Sequence, residues 1–160
     1  MDDDPVLTRT RRNALAGARR AVLATIGPDG GPRLVPICFT LDPARPVLYS
    51  PLDEKPKRAG VHDLARVRDI LRDPRVTVLA DTWDEDWSQL AWTRCEGRAS
   101  LLEPDGPHAP EHHAAVVALR SKYPQYSTHD LAGRPIIRIE LVRATGWVAS
   151  DEPPGQPAGP

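Results

Sequence analysis

Apolar residues between positions 20 and 52 fall in three short bursts, each closed by turn-forming residues, and each burst predicts a strand. The first, Arg20-Ala-Val-Leu-Ala-Thr-Ile26, is a compact apolar run followed by the strong turn Gly27-Pro-Asp-Gly-Gly31. Residues 32–41 form the second burst, interrupted by Pro36. A proline removes one ladder donor, so this strand is expected at an edge, at a bulge, or where another molecule approaches. The turn Asp42-Pro-Ala-Arg-Pro46 leads to the third burst, residues 47–52. Three strands joined by tight turns predict an antiparallel meander.

The remaining pattern mixes both periods. Residues 8–19 read as a short, basic amphipathic helix. Val61, Leu64, Val67 and Leu71 recur at spacings of three, three and four, which predicts a helix that Asp73-Pro74 ends. Residues 75–80 predict a fourth strand and residues 90–102 a long fifth, joined by the acidic loop Asp81-Thr-Trp-Asp-Glu-Asp-Trp87. A second long helix is expected over 109–121, and a sixth strand over 135–147 with alternation from 137 to 141. Six antiparallel strands with a few helices closing the ends predict a mainly β chain folded as a small barrel. That domain is expected to span residues 1–150, ahead of a disordered Pro/Gly-rich tail, 151–160.

Composition narrows the function. At 160 residues and 17.6 kDa the chain suits one domain with a real core. It has 21 basic and 22 acidic residues, a balance that argues against a general nucleic-acid binder. No apolar run reaches the roughly 18 residues of a membrane span, and the acidic start Met-Asp-Asp-Asp-Pro lacks a signal-peptide core, so a cytoplasmic address is expected. Cys38 and Cys95 lie in apolar strand-like runs and read as reduced thiols packed as small hydrophobes. The chain shows no Gly-x-Ser-x-Gly elbow, Gly-x-Gly-x-x-Gly turn or Walker loop.

Against that even charge balance, Lys55, Lys57 and Arg58 place three cations in four residues directly after a strand. Lys and Arg hold phosphate through charge-assisted hydrogen bonds, although the same run also suits a solvated turn. His108 and His112 have the i, i+4 spacing of a metal pair, but Pro110 interrupts the turn and no His-Glu-x-x-His order follows, so a solvated helix start is expected and no metal site. Four tryptophans stand against one phenylalanine. Trp92, mid-strand, suits the core or an interface, Trp87 at the end of the acidic loop suits a pocket wall, and Trp83 suits packing.

Three groups of residues carry a family resemblance. They are Asp53-Glu-Lys-Pro-Lys57, Asp84-Glu-Asp-Trp-Ser88 and Trp92-Thr-Arg-Cys-Glu-Gly-Arg-Ala99, set behind a strand-turn-strand ending in Leu34-Val-Pro36. In this order they resemble the pyridoxamine-phosphate-oxidase-like split β-barrel flavoproteins across residues 10–149. The branch they are most similar to comprises actinobacterial enzymes dependent on the deazaflavin coenzyme F-420. The resemblance implies a homodimer with the flavin-like ring in a groove between subunits. It implies that Leu34, Val35, Pro36, Ile37 and Cys38 run beside the ring. It also implies that Tyr49, Ser50, Lys55 and Lys57, with Arg58 as a third cation, hold the phosphate. Trp87, Arg143 and Trp147 are further expected cofactor contacts. The activity implied is hydride transfer to or from a small organic substrate, chemistry the cofactor supplies while the protein binds and orients. An FMN-dependent oxidase or reductase on the same fold, and a non-catalytic flavin or haem binder, are the alternatives.

Overall fold

A computed structural model describes residues 5–52 and 60–149, apart from the side chain of Val61. Lys55, Lys57 and Arg58, and the tail 151–160, lie outside the described residues. Helix α1 (Arg9–Gly17) precedes strands β1 (Ala21–Ile26), β2 (Pro32–Ile37), β3 (Thr40–Leu41) and β4 (Val47–Pro51). Helix α2 (Ala65–Arg72), β5 (Arg75–Thr82), β6 (Ala91–Leu102), α3 (Ala109–Lys122) and β7 (Ile136–Val148) follow. All strand pairs are antiparallel, in the order β2-β1-β5-β6-β7-β4-β3.

The sheet has seven strands where six are expected, because the run 32–41 breaks at Cys38 and Phe39. Its first half pairs with β1 and its second with β4. The expected meander is corrected accordingly: β1 and β2 form a hairpin, but β4 lies between β3 and β7. This break closes the fold. Seven strands laid flat would put β2 and β3 about 29 Å apart. The two residues linking them bridge at most about 11 Å. The sheet must therefore curl until its edges meet at Cys38.

Burial follows from the curl. Along β1, Ala21, Leu23 and Thr25 are buried and Val22, Ala24 and Ile26 half-buried. Ala21 and Leu23 join Leu15, Phe39, Leu48, Val78, Cys95, Ile137 and Ile139 in the main core. A second core gathers Val47, Tyr49, Leu102 and Ile136 beneath Val116 and Leu119 of α3. Where β6 meets β7 the register slips at Glu96/Gly97, and a Cβ on Gly97 would stand 2.6 Å from the Glu140 carbonyl oxygen, which excludes any other residue there.

Helix α2 departs from its expected face. It starts at Ala65 after a short 3-10 turn, Val61–Asp63, so Val67, Asp69 and Ile70 are buried while Leu71 points out, 63% exposed. Asp69 is a buried carboxylate with its needs met: Thr25 Oγ1 donates at 2.9 Å, Arg72 Nη2 donates at 3.0 Å, and Arg33 lies at 3.5 Å. Burial pushes its pKa up, but the Arg72 and Thr25 hydrogen bonds and the Arg33 charge outweigh that and hold it below the usual carboxylate value.

The break is sealed by one side chain. The Tyr123 hydroxyl accepts from Phe39 N–H at 3.2 Å and lies 3.0 Å from the carbonyl oxygens of both Phe39 and Arg19, which share its single proton. Ser50 Oγ donates to the Cys38 carbonyl at 2.9 Å. Backbone groups that a continuous ladder would have paired are thus satisfied by side chains. Tyr123→Phe is expected to lose about 1–3 kcal/mol of unfolding free energy, because it leaves buried backbone groups without partners, measured by urea titration. In Asp69→Asn the acid limb of stability flattens: wild-type stability drawn from Asp69 is present above pH about 3.9 and is lost as pH falls through the lowered native value. Melting temperatures from pH 6 to pH 2 check the difference.

Candidate functional site

A cleft of about 170 Å³ opens at the break, lined by Arg20, Pro36, Ile37, Cys38, Ser50, Pro51 and Arg66. It lies where the bent β2–β3 strand leaves β1 for β4, so neither neighbour covers it. The structure brings Pro36, Ile37, Cys38 and Ser50 together here, and adds Arg20 and Arg66, which sequence reasoning missed. Arg20 stands one residue ahead of β1 and Arg66 in the first turn of α2, far apart in the chain, so no local pattern linked them. Among the described residues, no carboxylate lines this cleft. Pro51, which lines it, stands four residues before Lys55 in the chain, ahead of Lys57 and Arg58.

Pro36 sits as its chemistry requires. β2 is an edge strand whose pairing within the described residues is with β1, and Pro36, opposite Val22, is exposed. Leu34 and Pro36 are exposed while Val35 is half-buried and Ile37 buried, so the strand offers Leu34 and Pro36 outward. Outward position continues across the sheet. Val22 faces Leu79, Leu79 faces Arg94 and Arg94 faces Thr145, with Glu96 opposite Arg143 and Trp92 opposite Trp147. Leu34 at 67% and Val142 at 57% exposure make this outer face partly apolar.

Other expected contacts lie elsewhere. Tyr49 is buried in the second core, and its hydroxyl donates to Glu111 Oε1 at 2.6 Å. The same oxygen accepts from Arg138 Nε at 2.9 Å and Arg45 Nη2 at 3.0 Å. Burial raises the Tyr49 pKa and the Glu111 hydrogen bond raises it further, so the hydroxyl stays protonated. The Tyr49 side chain therefore clamps β4 to α3, and of the strand-end pair it is Ser50 that reaches the cleft. Arg143 and Trp147 stand on the outer face at β7, about 19 Å along the sheet from β2. Trp87 sits in the β5–β6 hairpin, 68% exposed and outside the cleft lining. Trp83, expected to pack, is 70% exposed at the same hairpin.

Two further features bear on the chemistry. His112 lies 2.7 Å through Nε2 from the Arg134 carbonyl oxygen, and no group of three or more His, Cys, Asp or Glu among the described residues is placed to hold a metal. Cys38 and Cys95 are both free thiols, and burial pushes the Cys95 thiol up to about 12. A larger concavity of about 600 Å³ lies lower on the outer face, between Ala24, Pro32, Thr77, Gly97 and Val142. It holds none of the expected contacts, and its Arg75 is paired with Asp73 at 2.7 Å. The smaller cleft is the better candidate, since it joins the expected residues Pro36, Ile37, Cys38 and Ser50 to two arginines.

Comparison with known proteins agrees with this geometry. The sequence profile of a family described as pyridoxamine 5′-phosphate oxidase matches residues 7–148. A conserved hypothetical protein of Mycobacterium tuberculosis superposes with a TM-score of 0.69 at 21% identity, over 99% of this chain and 98% of its own. A FAD-binding protein of Mesorhizobium loti gives 0.62 at 21%, over 88% and 94% of the two chains. A protein titled F420 reductase gives 0.61 at 20%, over 90% and 98%. At these identities the likeness is one of fold.

The Tyr49–Glu111 clamp makes a prediction of its own. Burial pushes Glu111 up, but hydrogen bonds from Tyr49 and Arg138 bring it below its usual value. Glu111→Gln is expected to lower stability by about 1–3 kcal/mol at pH 7, since it withdraws the charge that three donors face. As pH falls below the ordinary glutamate value toward the lowered native one the gap should narrow, because the unfolded chain takes up a proton that the native carboxylate resists; melting curves at pH 7 and pH 3 check it.

Proposed function

The chain belongs to the pyridoxamine 5′-phosphate oxidase family, and from that premise we propose that it binds a phosphate-bearing flavin-type cofactor at the break in its sheet. Within that reading the cofactor is the deazaflavin coenzyme F-420, held between two copies of the chain, and the reaction is hydride transfer with a small organic substrate. The observation that carries the reading is the cleft at Cys38, where Arg20 and Arg66 meet the Ser50 strand end and the described lining residues include no carboxylate.

The residues present fit such a group. Guanidinium groups suit a phosphate through paired N–H donors. A cleft of about 170 Å³ is smaller than the roughly 300–1,000 Å³ of a typical ligand pocket, so it takes the phosphate end and leaves the ring outside. The ring then lies along the outer side of β2, where Leu34 and Pro36 offer an apolar surface. When bound, the cofactor supplies the hydride chemistry. The chain's own part is to anchor the phosphate, to set the ring against the edge strand, and to keep water from one ring face with Leu34 and Pro36.

A second copy of the chain completes this arrangement. Arg143 and Trp147 lie on β7, four strands from Pro36 across the sheet, and two outer faces packed together would bring β7 of one copy beside β2 of the other. The exposed apolar residues Leu34, Leu79 and Val142 supply the buried surface such a pairing needs.

FMN remains the second reading, because the charged cleft addresses the phosphate and both cofactors carry one. The deciding experiment is equilibrium titration of the purified protein with F-420 and with FMN, followed by a hydride-acceptor screen with the tighter binder. Tighter F-420 binding supports the deazaflavin reading, tighter FMN binding overturns it in favour of the second, and binding of neither overturns both. Arg20→Ala is expected to weaken the tighter cofactor by about 1.5–3 kcal/mol, the worth of a charged hydrogen bond. Lys55→Ala with Lys57→Ala should weaken it at least as much, and unchanged affinity in both variants would exclude a phosphate site here.

A further inference from the structure

Behind the cleft stands a cation with no carboxylate paired to it among the described residues. The ammonium of Lys122, at the end of α3, is shut off from solvent and has no hydrogen-bond partner. It lies 4.1 Å from the centre of the Phe39 ring and 5.5 Å from that of Tyr123. On Tyr123, 4.8 Å from its ring centre, rests a second cation, Arg19, whose Nη1 donates to the Lys122 carbonyl at 2.8 Å. Phe39 is the residue next to Cys38, so this pair of cations flanks the strand that floors the cleft.

A buried ammonium without an anion is an unfavourable arrangement. Aromatic faces relieve it only in part. Burial, and secondarily Arg19, push the Lys122 pKa down to about 8, and Cys38 acts weakly in the opposite direction. Among the described residues, the charged and titratable groups that face this ammonium are Arg19 from the residues before β1, Cys38 from the break, and Tyr123 beside it. None is a carboxylate that could balance it.

We propose that Lys122 is a positioning residue for the phosphate of the bound cofactor, a solvent-shielded positive charge behind the cleft whose protonation state sets how tightly the phosphate is held. The proposal rests on the phosphate reading of the cleft and adds to it a residue that does not line it. Because Lys122 is screened from water, its field acts through the protein rather than through solvent, where it would be damped. Linkage is reciprocal: a phosphate in the cleft favours the protonated amine, and loss of that proton weakens the phosphate.

The test is fluorescence titration of the full chain with FMN and with riboflavin, which differ by the phosphate, between pH 6.5 and 9.5. Wild type, Lys122→Met and Lys122→Arg are compared, with Cys38→Ser as the control for the neighbouring thiol. Wild-type affinity for FMN is expected to fall about three- to tenfold from pH 7 to pH 9, while riboflavin affinity stays level. Lys122→Met should bind FMN more weakly at pH 7 with a flat profile, and Lys122→Arg should bind tightly with a flat profile. A wild-type profile that is already flat, or the same slope in Lys122→Met as in wild type, overturns the proposal while leaving the phosphate site standing. So does a slope that disappears in Cys38→Ser. Equal affinity for FMN and riboflavin in the wild type overturns the phosphate reading itself, and this inference with it. Lys122→Arg keeps the test open if Lys122→Met does not fold.

Discussion

The two residues Cys38 and Phe39 carry the geometry of the whole chain. They join the opposite edges of a seven-stranded sheet, and so short a link forces the sheet to curl. The same two residues lie at the one place where the bent strand changes neighbours and a continuous ladder is interrupted. A hydroxyl from the end of α3 repairs that interruption by meeting Phe39 on both its N–H and its carbonyl. Closure of the sheet, docking of α3 and the existence of a cleft are consequences of one break.

The break also explains why the cleft is positively charged. A strand that leaves β1 for β4 exposes the residue before β1, the end of β4 and the start of α2 to a common space, and two of these positions hold arginine. Acidic residues are not scarce nearby, but they are engaged. Asp69 is held by Thr25, Arg72 and Arg33, and Glu111 by Tyr49, Arg45 and Arg138. Each of these two carboxylates is satisfied by other partners and neither lines the cleft. Buried ion pairs of this kind secure register and docking more than they add net stability.

Family membership and site geometry bear on different questions. The match over residues 7–148 accounts for the order of strands and for the break. The cleft's residues bear on the proposed phosphate site, which would be a property of these side chains rather than of the fold. The tryptophans fit neither account evenly. Trp92 and Trp147 are an outer-face pair across β6 and β7, whereas Trp83 and Trp87 project from a hairpin whose role the cleft chemistry does not require.

Much of the architecture was legible in local pattern. Alternation and turn residues placed β1, β5, β6 and β7 within a few residues of their ends, and Pro36 announced an edge, because these features depend on period-two burial and on backbone donors that each residue carries with it. The break at Cys38 was not legible, since Ile37-Cys-Phe-Thr40 is uninterrupted strand-forming sequence and only competition between β1 and β4 for the same strand divides it. The exposed Leu71 was misplaced because where α2 begins turns its face, and that start is set by packing on β1. Ser50 was read from its position at a strand end, and Tyr49, its neighbour on the opposite face, went to the clamp with Glu111 as a two-residue period dictates. Arg20, Arg66 and Lys122 came together only in three dimensions: charge is a property of the residue, but which charges share a space is decided by how the sheet closes.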